Sequence, residues 1–150
     1  MKLKKKLIGL FGGSFDPPHK AHVKISSVSI KKLKLDKLYW TVSKRNPFKN
    51  EALFSLKERL EKCNQITKNK KIKVTFLDDL VGSGRTIEIL KYLKKKNKNK
   101  NFFLILGSDN VIGFHKWKSW KSILKIAKLV VFYRKGFNKK AKSSIIVKYL

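Results

Sequence analysis

Eleven residues limit what this chain can be more than any others: Gly12 to His22, reading GGSFDPPHKAH. They follow a short apolar run, Leu7 to Phe11 (LIGLF), and lead into a segment with helical spacing of apolar residues. That order is a buried strand, a tight loop and a helix start carrying two imidazoles one turn apart. Gly12 and Gly13 let backbone N–H groups come close to an anion, which side chains would block. The helix that follows directs its positive end at the same place. His19 and His22, three residues apart, share one side of its first turn, where each ring can donate a hydrogen bond to a phosphate oxygen. Such a stretch is suited to holding phosphates.

The stretch is not a P-loop, because no GKS or GKT follows, and it is not the dinucleotide pattern GxGxxG. His19 and His22 have a spacing that a metal accepts. No third ligand pattern such as HExxH accompanies them and Cys63 is remote in sequence, so no protein-held metal is expected. Asp16 is expected to cap the helix start rather than to act as a catalytic acid or base.

The rest of the chain reads as strands alternating with helices. Strands are expected at 7–11, 38–42 (LYWTV), 72–77, 102–106 (FFLIL) and 129–133 (LVVFY). Helices are expected at 19–33, from Ser55 onward, at 86–95, after Gly107-Ser108-Asp109, and at 119–126. Ser55 with Glu58 three residues later forms a capping-box pattern. Leu56, Leu60, Cys63 and Ile66 then supply an apolar stripe. Residues 78–84 read as a loop containing Gly82 and Gly84, and 94–100 (KKKNKNK) as a solvated turn. Residues 143–150 fit helix and strand equally.

This alternation predicts an α/β fold of the Rossmann-like, doubly wound kind, with about five parallel strands and helices on both faces. Ligands bind such sheets beyond the carboxyl ends of the strands. The connections that matter are then those after strands one, two, four and five: GGSFDPPHKAH, SKRNPFKN, GSDN and YRKG. Gly, His, Asp and paired basic residues cluster in these same four. Trp120, followed by Ile123 and Leu124, reads as core. Trp117, between Lys116 and Lys118, fits a stacking platform and a packing residue equally well.

At 150 residues and 42% hydrophobic content the chain is expected to fold as one domain. No apolar run approaches the roughly 20 residues that span a bilayer, and the apolar run near the start is too short for a signal peptide. The expectation is a cytoplasmic protein with no membrane partner. The lone Cys63 is expected to be a buried structural thiol. Net charge is +29, which favours anionic partners, but the lysines are spread over the whole chain. Nucleic acid is therefore not expected as the partner. A nucleic-acid-binding protein is kept as the alternative class. It predicts steep salt dependence and leaves GGSFDPPHKAH unexplained.

GGSFDPPHKAH resembles the GGSFDPxHxGH loop of the nucleotidyltransferase superfamily. VSKRNPFKN, SLKERLEKC, GSGRTIEIL, FLILGSDNVIGFHKW and LVVFYRKGF, in that order, are similar to the bacterial nicotinate-nucleotide adenylyltransferase family over most of residues 7–137. The resemblance implies transfer of AMP from ATP to nicotinate mononucleotide, with Mg²⁺ accompanying ATP. It implies that His19 and His22 contact the ATP phosphates as the catalytic pair. Gly12, Gly13, Ser14 and Phe15 then lie in the loop under the nucleotides, and Gly107 and Asp109 at the adenosine. Thr86 and Trp117 then line the nicotinate pocket, and Lys44, Lys49 and Arg134 contact phosphates, Arg134 on the ATP side. The implied domain is 1–137, followed by a basic tail, 138–150.

Two departures accompany the resemblance. Ala21 stands where the family has Gly. Near the C-terminus the family has an ISSTxxR-type segment that binds ATP phosphates, whereas Ser143-Ser144-Ile145 is only faintly similar and no Arg follows. The expectation for these 150 residues by themselves is weak ATP binding and slow turnover. Pantetheine-phosphate adenylyltransferase, a sister activity closer in length, is the second enzyme reading, and an inactive remnant with the same fold is another. An oligomer is left open.

Overall fold

A computed structural model describes residues 5–44, 52–133, 136 and 139–140. Five strands, β1 (Lys6–Gly13), β2 (Lys37–Val42), β3 (Ile72–Thr75), β4 (Lys100–Gly107) and β5 (Ala127–Phe132), form one sheet in the order β3-β2-β1-β4-β5. Every pairing is parallel. The intervening helices are α1 (Lys20–Leu33), α2 (Leu56–Ile66), α3 (Asp78–Val81), α4 (Thr86–Lys96), α5 (Ser108–Ile112) and α6 (Trp120–Ile126). This is the doubly wound α/β architecture that the alternation of patterns predicts. No helix among the described residues is long and apolar enough to cross a membrane.

The central strand β1 shows why the layers form. Its residues alternate between two cores, as a pleated strand requires. Ile8 and Leu10 join Phe102, Leu104 and Leu106 of β4, against Ile87, Leu90 and Leu93 of α4 and Ile123 of α6. Phe11 joins Trp40 of β2 and Ile105 of β4 on the opposite face, against Ile30 of α1 and Cys63 of α2. Asp36 fixes where β1 begins: its Oδ2 accepts from Leu7 N at 2.8 Å and its own N–H donates to Leu7 O at 2.8 Å.

Several boundaries differ from the sequence reading: α4 takes in Lys94–Lys96 and β4 starts at Lys100, which shortens the expected 94–100 turn, and β5 runs Ala127–Phe132. β1 continues through Gly12 and Gly13, which pair with Thr41 and Val42. These glycines are strand residues in extended backbone rather than the first residues of a loop. β3 stops at Thr75, short of Leu77. The expected loop at 78–84 begins with the one-turn helix α3, whose first turn holds two acids and which closes on Gly82 at φ 78°. Asp78 and Asp79 favour that turn because carboxylates complement the exposed N–H groups of a helix start.

Gly9 is the glycine of the sheet with the closest side-chain neighbours. A Cβ there would lie 2.7 Å from both Leu35 Cδ1 and Leu38 Cδ1 and 3.3 Å from Ile105 Cδ1. All three residues are fully buried, so they have no free space to yield. Gly9→Ala is expected to destabilise the fold by about 1–3 kcal/mol through overpacking. The drop in melting temperature by calorimetry measures it; an unchanged melting temperature would show that the core relaxes around the methyl group.

Candidate active site

The sheet opens at its own switch point. The chain builds outward from β1 to β2 and β3, then crosses back to place β4 on the other side of β1. The β1–β2 ladder runs to Gly13↔Val42 and the β4–β5 ladder to Gly107↔Phe132, whereas β1–β4 pairing ends at Phe11↔Ile105. The two central strands therefore separate before their outer ladders end, by two residues on each side. The cleft is this unpaired end of the β1–β4 ladder, between Gly12–Gly13 and Leu106–Gly107, at the position where open α/β sheets take ligands. Gly12 is exposed there, and a Cβ on it would press to 3.1 Å from Thr41 Oγ1.

Beyond Gly13 and Ser14 the chain turns at Phe15, whose φ of 48° is unusual for a bulky residue. Burial of the ring holds it there: Phe15 stacks on Trp40 at 4.7 Å with 15° between planes and meets Phe11 edge-on at 5.8 Å. Trp40 is fixed in turn by a 2.8 Å bond from its Nε1 to Ser26 Oγ on α1. The His22 ring rests on this floor, 4.9 Å from Phe15, and the His19 ring lies 4.1 Å from His22. Phe15 is thus a buried support, and its side chain reaches the site only through His22.

The two histidines form the helix start itself. His19 is the N-cap of α1 and its Nδ1 accepts from Ala21 N at 3.3 Å. His22 Nδ1 accepts from His19 N at 3.1 Å. Each Nδ1 acts as an acceptor, so each neutral ring carries its proton on Nε2 and has an Nε2–H as donor. His19 is exposed and His22 half-buried. Contrary to the sequence reading, Asp16 does not cap α1. Its carboxylate accepts from Leu53 N at 2.6 Å and Phe54 N at 2.8 Å, the residues just before α2. Its role is structural, but across the chain rather than within the turn.

The other expected residues lie on connections that leave the same carboxyl edge. Lys44 follows β2; its N–H donates to Asp78 Oδ2 at 2.9 Å and its ammonium pairs with Asp79 at 3.4 Å on an exposed surface. Thr86 is the first residue of α4. Gly107 ends β4 and Asp109 sits in the first turn of α5, after a buried Ser108. Trp117 follows a 3-10 turn (Phe114–Lys116), is half-buried, and meets Phe114 at 4.9 Å. It packs against the core formed by α4 and α6, as the packing reading expects. Lys49 and Arg134 lie outside the described residues.

Two residues escaped the sequence reading. Arg59 is 2% exposed and donates to four carbonyls: Phe54 O at 3.1 Å, Ser14 O at 2.9 Å, Ser43 O at 2.7 Å and Lys44 O at 2.9 Å. Its signal was its place on the stripe of Leu56, Leu60 and Cys63, where a polar side chain must find partners. Asp78, also buried, receives the Lys44 amide, and its Oδ2 would lie 3.0 Å from a Cβ at Gly84.

A family profile described as Cytidylyltransferase-like matches residues 10–149. A Pelagibacter ubique protein named "Probable nicotinate-nucleotide adenylyltransferase" is 45% identical over 143 residues, which cover 95% of this chain and 79% of the relative. The chain belongs to the nicotinate-nucleotide adenylyltransferase family. A second member bearing that name, from Agrobacterium fabrum, is 37% identical over 87% of this chain and 70% of its own. The fold agrees with that of Plasmodium falciparum nicotinic acid mononucleotide adenylyltransferase complexed with NaAD, at a TM-score of 0.77 and 22% identity, covering 93% of this chain and 72% of that one.

In this nicotinate-nucleotide adenylyltransferase family member Cys63 is a structural thiol. It is fully buried, and burial pushes its pKa from the usual 9.0 up to about 11, against an opposing pull from the nearby Arg59 charge. The unfolded thiol ionises first, so this contribution to stability is complete below about pH 9 and is lost as pH rises toward 11. At pH 8 the native protein is expected to resist a thiol-reactive chromophore that labels it at once in denaturant. Rapid labelling of the native state would place Cys63 outside the core.

Proposed function

We propose that this enzyme transfers AMP from ATP to nicotinate mononucleotide, releasing pyrophosphate and forming nicotinate adenine dinucleotide, a step of NAD synthesis. The observation that carries the assignment of roles is the histidine pair at the start of α1. Both Nδ1 atoms are engaged with backbone, and both rings thereby carry an Nε2–H donor beside the cleft.

The chemistry needs little beyond placement. A phosphate oxygen of the mononucleotide attacks the α-phosphorus of ATP as the bond to the pyrophosphate oxygen breaks. The attacking phosphate is already ionised, so no general base is required. Positioning and stabilisation of charge on the transferring group supply the acceleration. His19 and His22 donate to the phosphate oxygens as charge builds on them. The backbone of Gly12, Gly13, Ser14 and Phe15 borders the phosphates at the open end of β1. Gly107 and Asp109 take the adenosine, with Asp109 suited to the ribose hydroxyls. Thr86 and Trp117 take the pyridine side, with Trp117 stacking on the ring. Lys44, Lys49 and Arg134 serve phosphates, and Lys44 must first leave its exposed pair with Asp79. Among the described residues no three His, Cys, Asp or Glu side chains group as metal ligands. The divalent cation is taken as part of the MgATP substrate, where it shares in neutralising the phosphates.

Pyrophosphate release is the direct assay, with ATP plus nicotinate mononucleotide against its amide analogue and against pantetheine phosphate. The nicotinate compound is expected to be the best acceptor. His19→Ala and His22→Ala are each expected to lower kcat about 100-fold or more, as loss of a charge-stabilising donor does. His19→Ala also removes a helix cap, at about 1 kcal/mol of stability. His19→Asn separates the two effects: asparagine caps well, so stability returns while kcat stays low. Preference for pantetheine phosphate would overturn the substrate, and full activity in His19→Asn would overturn the histidine's role.

A further inference from the structure

Resting on the reading above, we propose that Arg59 is a positioning residue of the reaction: its planar guanidinium sets the histidine loop in register with the loop after β2. Arg59 reaches the site through three backbone segments. Nη1 binds Ser14 O, at the head of the histidine loop, and Ser43 O, just after β2. Nη2 binds Lys44 O, and Nε binds Phe54 O, at the approach to α2. Four of the five N–H groups of the fork are thereby assigned to four carbonyls that no helix or strand ladder satisfies.

The Phe54 peptide closes the circuit. Its C=O accepts from Arg59 and its N–H donates to Asp16, within the histidine loop. The loop is thus held at Ser14 by Arg59 directly and at Asp16 through the Leu53–Phe54 backbone. Three residues on, His19 begins α1. Among the described residues no carboxylate pairs with Arg59, so an ion pair does not account for a charge buried to 2% exposure. Four carbonyls within hydrogen-bond distance of the fork do, because charge-assisted bonds to them replace the lost water. The arrangement is specific to arginine. A lysine keeps the charge, but its three tetrahedral N–H groups cannot serve four carbonyls.

Arg59→Lys is the decisive variant. It is expected to fold and to lower kcat at least tenfold per folded molecule, with hydrogen exchange speeding up at the amides of 14–22 and 43–44. Asp16→Asn is expected to act in the same direction, and the double variant to be less impaired than the product of the singles. Gly9→Ala, destabilised in the core away from the cleft, is the control: its kcat at temperatures where it is fully folded should match that of the unsubstituted protein. Arg59→Lys with unchanged kcat and unchanged exchange would overturn the proposal. So would a loss of activity that tracks only the unfolded fraction, as it would in Gly9→Ala. If the unsubstituted protein fails to transfer AMP to nicotinate mononucleotide, the functional reading falls. The exchange rates still decide whether Arg59 sets the loop.

Discussion

The pairing of β1 is the constraint on which the site depends. From Ile8 to Phe11 β1 is bonded on both sides, to β2 and to β4, and it buries alternate side chains in two cores. At Phe11 the bond to β4 ends while the bond to β2 continues. A central strand loses one neighbour only where the connections on its two sides diverge, and this occurs where the chain reverses its direction of building. The cleft is therefore a consequence of topology. The histidine loop, the GSD turn and the connection that leads to α4 all leave one edge of the sheet, because parallel strands deliver their connections to the same side.

Much of this was legible in the sequence for a simple reason. Strands buried on both faces read as apolar runs, and LIGLF, LYWTV and FFLIL fall within β1, β2 and β4. Ser55 and His19 sit at helix starts because their side chains satisfy amides that would otherwise be unbonded. What escaped had no local signal. A four-residue helix such as α3 is too short to show a period. Asp16 looks like the cap of the helix beside it, yet its partners are 37 and 38 residues away. The early end of the β1–β4 ladder depends on two strands that are remote in sequence. Arg59 was readable in principle, as a cation on the apolar side of α2, but an arginine in a chain this basic blends into the expected surface.

Several of the acidic residues hold local structure rather than pair with cations. The chain has only nine, against 38 Lys and Arg. Asp16, Asp36 and Asp78 accept from backbone amides, and Glu58 accepts from the Ser55 hydroxyl at the α2 cap. Among the described residues the one ion pair joins Lys44 and Asp79. Carboxylates thus hold backbone in place while the positive field of the lysines goes largely unopposed. Such a field draws polyphosphates toward the protein and weakens with added salt.

The histidines at the start of α1 give this enzyme an unusual economy. Functional groups are commonly a burden on the fold, held in positions that folding alone would not choose. Here the nitrogen that secures each ring to the backbone also dictates which nitrogen keeps the proton. Making the helix start and arming the donor are one event. A chain that lost either ring would lose part of its helix cap and, on the proposed role, a phosphate donor as well. On that role, drift at these two positions is opposed twice, by the demand for a stable α1 and by the demand for turnover.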